Sequence, residues 1–409
     1  MGSQFRASLE AKQLVGARVW AEVNLQALVN NISSIIRQVR PVRRVRPVRR
    51  VRPVRRVRPV RLLLAVKKDA YGHGLIPVAQ VAEQIGVDYL GIACVGEGVA
   101  LRNAGITMRI LNMGVALSEE IEEGIANKID LTVACLDDAR RISDVARRLG
   151  LTARVHLKID TGMGRLGLFP EQLLGQIDAM AALPNLEWVS LYSHLADSTT
   201  DSALSREQLD RFETTISALS KVQSLKSNVH SDSLKMRHLG ASGALTDRKF
   251  HFDMLRVGIA AYGADARQRQ LEPVMTFKSR LVFIKDFPPG RTISYGATYT
   301  TTEPTRVGVV AAGYGNGYPR LVSNRGHVLL AGRPAPILGR VCMDQMMVSL
   351  NDHPDAKVGD VVLLFGRSDG CELPVWQVAK WAETISYETL CCVGAMNHRI
   401  YSQPQINAD

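Results

Sequence analysis

Ala65-Val66-Lys67-Lys68-Asp69-Ala70-Tyr71-Gly72-His73-Gly74 is the stretch on which the reading of this chain turns. An apolar run, Leu62-Leu63-Leu64-Ala65-Val66, leads into it and stops at a lysine. A short polar loop follows, punctuated by glycine and carrying a tyrosine. The pattern describes a buried strand that delivers an amine to the edge of a sheet, with a turn closing round something small. Lys68, next along the strand, is expected on the opposite face. A lysine in an apolar setting is readily desolvated, which favours its neutral amine and suits Schiff-base chemistry with an aldehyde. Alone, the same pattern also fits a surface lysine after a strand, so the decision rests on the rest of the chain.

Downstream, apolar runs alternate with helical stretches. Strands are expected at 62–66, 89–94, 108–113, 131–135, 155–159, 188–193, 236–240 and 254–258. Helices are expected at 76–85, 118–127, 137–149, 170–183 and 205–219. Buried strands in this rhythm close naturally into a (β/α)8 TIM barrel. An open doubly wound sheet is the competing α/β architecture, but no Gly-x-Gly-x-x-Gly follows an early strand. Beyond Gly263 the helices nearly stop, and strands are expected at 274–287, 292–301, 306–312, 327–330, 335–350 and 361–365, with one helix at 374–382. The expected division is an N-terminal extension (1–16), a barrel domain (17–265) and a mainly β C-terminal domain (266–409). Residues 17–24 also read as a strand able to join the second sheet, ahead of a helix at 25–39.

The net charge of +12 misleads. Residues 40–61 repeat Arg-Pro-Val-Arg-Arg-Val and hold 11 arginines and no acid, which leaves 40 basic against 39 acidic residues elsewhere. Prolines 41, 47, 53 and 59 exclude a regular helix or a central strand there. Such a tract could attract nucleic acid or anionic lipid. The plainer reading, preferred here, is a repeat expansion tolerated in a surface loop, since long loops cost little closure entropy. No apolar run reaches the ~18 residues of a membrane span. The N-terminus shows no signal-peptide core, so the expected location is cytoplasmic. The six cysteines lack metal-binding spacing, and no metal is expected.

In a barrel, the loops after the strands build the active site. The first strand delivers Lys67. The fifth runs into Lys158-Ile159-Asp160-Thr161-Gly162-Met163-Gly164-Arg165, the sixth ends at His194, the seventh at Ser242, and the eighth carries Arg256-Val257-Gly258-Ile259. A lysine, an arginine, a histidine and a hydroxyl-and-amide cup at one rim describe a site for pyridoxal 5'-phosphate. Adding Ser294-Tyr295-Gly296-Ala297-Thr298-Tyr299 and Gly339-Arg340-Val341-Cys342-Met343-Asp344-Gln345, the chain resembles the bacterial alanine racemases along nearly its whole length.

The resemblance implies a homodimeric, pyridoxal-phosphate-dependent enzyme that interconverts L- and D-alanine and supplies D-alanine for peptidoglycan. A serine-preferring or broader racemase of the same fold is the alternative. Lys67 is similar to the lysine that binds the cofactor and acts as one acid/base. Tyr295 is similar to the opposing acid/base, given across a dimer interface. Tyr71, Ser242, Gly258, Ile259 and Tyr387 would grip the phosphate. Arg256 would face the pyridine nitrogen, and His194 would bridge Tyr295 and Arg256. Arg165 and the Met343 backbone N–H would hold the substrate carboxylate. Lys158 matches a lysine carbamylated in some members, and Tyr314 and Arg340 match the substrate entry. Ala241 and Asn316 depart from the residues common there. Neither a membrane nor a nucleic acid is expected as a partner. Because the tract precedes the first barrel strand and Lys67 follows it, replacing residues 42–59 by a short Gly-Ser link should leave turnover nearly unchanged. It should also lower the isoelectric point sharply. A large loss of activity, with cofactor and oligomer intact, would make the tract a functional element.

Overall fold

The computed structural model describes residues 17–40, 59–197, 199–222, 234 and 236–405. The interior of the arginine tract lies outside the described residues, and so does the expected extension at 1–16. The chain divides into two units. One holds residues 32–40, 59–68 and 75–261, and the other 17–31, 69–74 and 262–405.

The first unit is built on parallel strands β2 (Arg61–Ala65), β3 (Tyr89–Ile92), β4 (Arg109–Asn112), β5 (Asp130–Val133), β6 (Ala153–Lys158), β7 (Leu186–Tyr192), β8 (Met236–His238) and β9 (Met254–Val257). They pair in the order β8-β7-β6-β5-β4-β3-β2-β9. Between β8 and β9 the ring is completed by backbone bonds from Asp253 N–H to Arg237 O (2.9 Å) and Arg256 N–H to Gly240 O (3.2 Å). Every strand expected for the barrel is present, within a few residues of its expected bounds. Leu63, Tyr89, Leu111, Met236 and Met254 fill part of the interior. Helices Leu75–Gln84, Ser118–Ala126, Leu136–Arg148, Pro170–Ala181 and Ala203–Leu219 follow the expected pattern. Val95–Asn103 adds a helix that the sequence hid behind two glycines.

In the second unit, β1 (Val19–Asn24) lies antiparallel to β10 (Met275–Phe287) and parallel to the strand Arg399–Ser402. The N-terminal strand is thus interior to a sheet made mostly from the far end of the chain. Two expected strands are corrected. Residues 292–301 form a small hairpin, Thr292–Ile293 with Tyr299–Thr300, around a tight turn at Tyr295–Ala297. Residues 335–350 split into Arg333–Pro336 and Met346–Ser349, with Gly339 at φ +75° between them. A second helix, Ser386–Met396, follows the expected one at Val375–Trp381.

The largest correction falls on the opening stretch. Strand β2 ends at Ala65, and Lys68, Asp69, Ala70 and Tyr71 all take φ between +53° and +55°. This is one turn of left-handed helix, not an irregular loop, and Lys68 is not on a strand. Each L-residue there costs roughly 1–2 kcal/mol, so the turn must be held from outside. Lys68 N–H donates to Glu97 Oε1 (2.6 Å), and Gly74 N–H to Asp69 O (2.9 Å). The Asp69 carboxylate pairs with Arg399, whose guanidinium also donates to Gly72 O (3.1 Å). Gly72 sits at φ +80°, and a Cβ there would lie 2.4 Å from Leu390 O. Gly72→Ala is therefore expected to cost about 2 kcal/mol or more. The check is a lower thermal unfolding midpoint, and an unchanged midpoint would mean the turn tolerates what its geometry forbids.

Candidate active site

The exits of the barrel strands converge on one cluster. Arg256, on β9, is buried with 4% of its surface exposed. Its guanidinium donates to His238 Nδ1 (2.7 Å), Ser193 O (2.8 Å), Leu239 O (2.8 Å) and His194 Nδ1 (3.1 Å). No carboxylate is among these acceptors. Burial pulls its pKa down to about 10, which leaves it charged at neutral pH. An unneutralised buried cation facing a strand exit is a receptor for an acceptor atom or an anion.

The charge governs its neighbours. Burial, and then Arg256, Lys158, Arg165 and Lys67, hold His194 well below the usual imidazole range. His238 is likewise kept neutral by burial and by Arg256. Lys158 falls to about 7, chiefly through burial, then Arg256. Its ammonium lies over the Tyr192 ring at 5.1 Å, and Arg256 lies over the same ring at 5.6 Å. The near-neutral amine is the form that reacts with electrophiles.

Arg165 is set by the loop that precedes it. Asp160 accepts from the N–H groups of Gly162 (2.8 Å), Met163 (2.8 Å) and Arg165 (2.9 Å). Burial alone would raise the Asp160 pKa, but these donors outweigh it and hold the carboxylate ionised. Ser242 opens a short helical turn, and its Oγ accepts from Gly258 N–H (3.0 Å) and Ala260 N–H (3.4 Å). Ser242, Gly258 and Ala260 thus form a buried hydroxyl-and-amide cluster, and Ile259, also buried, lies between its two amides in sequence. Cluster, cation, neutral imidazole and lysine together fit the phosphate, ring nitrogen and aldehyde of the expected cofactor.

The remaining expected residues belong to the other unit. The rings of Tyr71 and Tyr387 pack at 5.6 Å, and Tyr71 packs on Tyr262 at 5.1 Å. Burial, then Tyr387 and Cys391, raise the Tyr71 phenol far above its usual value, so it acts as a hydrogen-bond donor. Tyr295 is 70% exposed and Met343 55% exposed. The Met343 loop is anchored by Gly315 N–H to Met343 O (2.8 Å) and Tyr314 N–H to Cys342 O (3.0 Å). Asn316 Oδ1 accepts from Gly313 N–H (3.2 Å), a bond that an aspartate would also make. Sequence reasoning missed His156, Ser190, Tyr192 and His238, polar groups inside strands read as apolar runs, and Asp130, which the expected strand at 131–135 left just outside. Their one signal was a polar residue at an inward position of a strand.

Comparison with known proteins gives one consistent result. The family model for the alanine racemase N-terminal domain matches residues 48–266, and that for the C-terminal domain matches residues 274–401. The alanine racemase of Desulforamulus reducens is 37% identical over 392 residues, covering 94% of this chain and 98% of that protein. That of Halothermothrix orenii is 35% identical over 93% of this chain and 96% of that protein. Among solved structures, alanine racemase from D-cycloserine-producing Streptomyces lavendulae superposes with a TM-score of 0.82 at 31% identity, covering 95% and 98% of the two chains. Alanine racemase from Bacillus anthracis with bound L-Ala-P superposes with a TM-score of 0.80 at 29% identity, covering 94% and 95%.

The neutral histidines have a thermodynamic signature. His73 is fully buried, with its pKa lowered to about 4 by burial. His238 is also fully buried and lies well below its usual value. Unfolding returns each to an ordinary pKa near 6.5. Their stabilisation is thus complete above pH ~6.5 and falls as acid protonates the unfolded chain, by about 1.4 kcal/mol per pH unit for each ring. Denaturant midpoints should drop steadily from pH 7 to pH 5. A flat profile over that range would show that these rings are not held neutral.

Proposed function

The chain belongs to the alanine racemase family, and we propose that it interconverts L- and D-alanine with pyridoxal 5'-phosphate bound at the barrel rim. The carrying observation is the buried Arg256 guanidinium, which makes four hydrogen bonds without a carboxylate. An arginine facing the pyridine nitrogen does not give up its proton, so that nitrogen stays largely unprotonated. When bound, the cofactor supplies an electron sink that acidifies the substrate's α-hydrogen. The unprotonated ring keeps that sink weak, which disfavours side reactions such as transamination.

The other roles follow from chemistry. Lys67 holds the cofactor and moves a proton at its Nζ on one face of the substrate. Inversion needs a second acid/base on the other face, and Tyr295 fills that place through its phenolic oxygen. Phenols ordinarily keep their proton near neutral pH, so the proton's removal needs support from a neighbour. His194 is suited to give it. Its Nδ1 accepts from Arg256, so the neutral ring carries its hydrogen on Nε2 and can donate that hydrogen to a tyrosine oxygen. Arg165 and the Met343 N–H orient the substrate carboxylate. Tyr71, Ser242, Gly258, Ile259 and Tyr387 are the phosphate contacts of this reading.

The exposure of Tyr295 and Met343 supports a site completed by a second copy of the chain. D-alanine for cell-wall peptidoglycan is the product's expected use, in the cytoplasm. Among the described residues, no helix is long and apolar enough to cross a membrane.

Lys67→Ala should abolish the cofactor's bound absorbance and racemisation in both directions, and Lys68→Ala should do neither. Tyr295→Phe should keep the absorbance and lose most turnover. Mixed dimers of inactive Lys67→Ala and Tyr295→Phe chains should regain part of the activity. No recovery despite demonstrated subunit exchange would sink the shared site.

A further inference from the structure

Behind Arg256, hydrogen bonds run through the barrel interior to its far end. Arg256 Nη1 meets His238 Nδ1 at 2.7 Å, and His238 Nε2 meets Ser190 Oγ at 3.0 Å. Ser190 Oγ meets His156 Nδ1 at 2.6 Å, and His156 Nε2 meets Asp130 Oδ2 at 3.1 Å. The four residues beyond Arg256 are at most 2% exposed. Asp130 is the first residue of β5, so it lies at the N-terminal end of the parallel strands. Lys67 lies just past the opposite end of β2. The path links the two faces of the barrel.

The direction of the protons next to Arg256 is fixed, and for a neutral His156 ring the rest follow. Arginine only donates, so His238 Nδ1 must accept and its hydrogen sits on Nε2. Ser190 Oγ accepts that hydrogen and gives its own to His156 Nδ1. His156 then carries its hydrogen on Nε2 and donates to Asp130. The carboxylate, which only accepts when ionised, ends the chain, and its Oδ1 takes a hydrogen bond from Arg154 Nε at 3.0 Å. Both imidazoles are thereby locked in one tautomer and one orientation. Arg256 keeps its proton at neutral pH, so the path orders protons and does not carry them.

We propose that Asp130, His156 and Ser190 are positioning residues, which through His238 fix how the Arg256 guanidinium is presented to the cofactor's ring nitrogen. The inference rests on the reading of Arg256 given above. Tyr192 strengthens the arrangement, since its ring stacks on His238 at 4.7 Å and 5° and its hydroxyl is pinned by Thr132 Oγ1 at 2.7 Å. Without the serine, His238 Nε2–H loses its acceptor, and Arg256 alone is left to hold the ring in its tautomer. A ring with hydrogen on Nδ1 would oppose the guanidinium with a donor, and Arg256 would turn towards its carbonyl partners.

The test uses the full chain labelled with 15N-histidine, with and without cofactor. Among the slowly exchanging downfield N–H signals, split by 15N, two should be assigned to His156 and His238 in both forms. Ser190→Ala should abolish the His238 signal, and Asp130→Asn should move the His156 signal upfield. In the loaded enzyme both variants should lower kcat about tenfold with little change in KM, and both should shift the cofactor absorbance. Ser190→Thr restores the hydroxyl and should recover both readouts. Glu187→Gln is the control. Glu187 pairs with Arg154 but not with the path, so its loss should leave the signals and kcat unchanged. The proposal is overturned if folded wild-type protein lacks the two signals. It is equally overturned if Ser190→Ala and Asp130→Asn leave kcat and absorbance unchanged while Arg256→Leu shifts the absorbance. If Arg256→Leu also leaves the absorbance unchanged, the reading of Arg256 itself fails, and the positioning role with it.

Discussion

A guanidinium sealed inside a parallel barrel, with carbonyls and imidazoles for partners, is the constraint on which the site depends. Burying an ion without a counter-ion is costly, so each acceptor around Arg256 has to be neutral and correctly turned. Ser193 O and Leu239 O are carbonyls from the ends of β7 and β8, where the strands stop spending them on sheet pairing. His194 and His238 must stay unprotonated to accept at all. The same positive charge that needs them neutral also keeps them so. The values of His194, His238 and Lys158 are depressed first by burial and then, in all three, by the Arg256 charge.

The left-handed turn after β2 solves a second problem. A lysine that must reach one small target cannot sit on a loop free to drift. In the turn from Lys68 to Tyr71 the backbone is held in a conformation that L-residues avoid, so only strong external contacts can keep it there. Those contacts run through Glu97, Arg399 and the cramped Gly72, and all hold the stretch that follows Lys67. Strain of this kind survives in folded proteins only where its surroundings over-determine it.

The architecture was legible because hydrophobic periodicity survives in a single sequence. Lys67, His194, Ser242 and Arg256 stand where apolar runs end, and in a parallel barrel those ends share one face. The left-handed turn was not legible. Gly72 and Gly74 announce a turn, but nothing in Lys-Asp-Ala-Tyr marks four successive residues as left-handed. The break inside 335–350 was hidden because apolar residues continue through it, and only Gly339 hints that the strand stops. The path from Asp130 to Arg256 was hidden for another reason. Its hydrogen bonds join residues 26, 34, 48 and 18 positions apart, and no local pattern links them. A histidine or serine in an apolar strand shows that a polar group is buried, but not which strand will satisfy it.

The arginine repeat poses the question of how a fold absorbs so discordant a segment, and its two ends suggest an answer. Arg40 Nε donates to Val60 O at 2.7 Å, and the Arg40 guanidinium also pairs with Asp88. Asp88 in turn accepts from Leu62 N–H at 2.7 Å, so one carboxylate ties the end of the first helix to the start of β2. With the ends clamped by described residues, the separation the intervening chain must span does not change with its length. Closing a loop between fixed points costs only about 0.6 kcal/mol more for each doubling of its residues. The clamp lies at the start of β2 and Lys67 beyond its end, so a strand's length separates the insertion's anchors from Lys67. At ordinary salt, screening over about 10 Å further blunts whatever charge the repeat carries. An expansion at this point escapes the constraints that act on Arg256 because it enters where the barrel's chemistry is not.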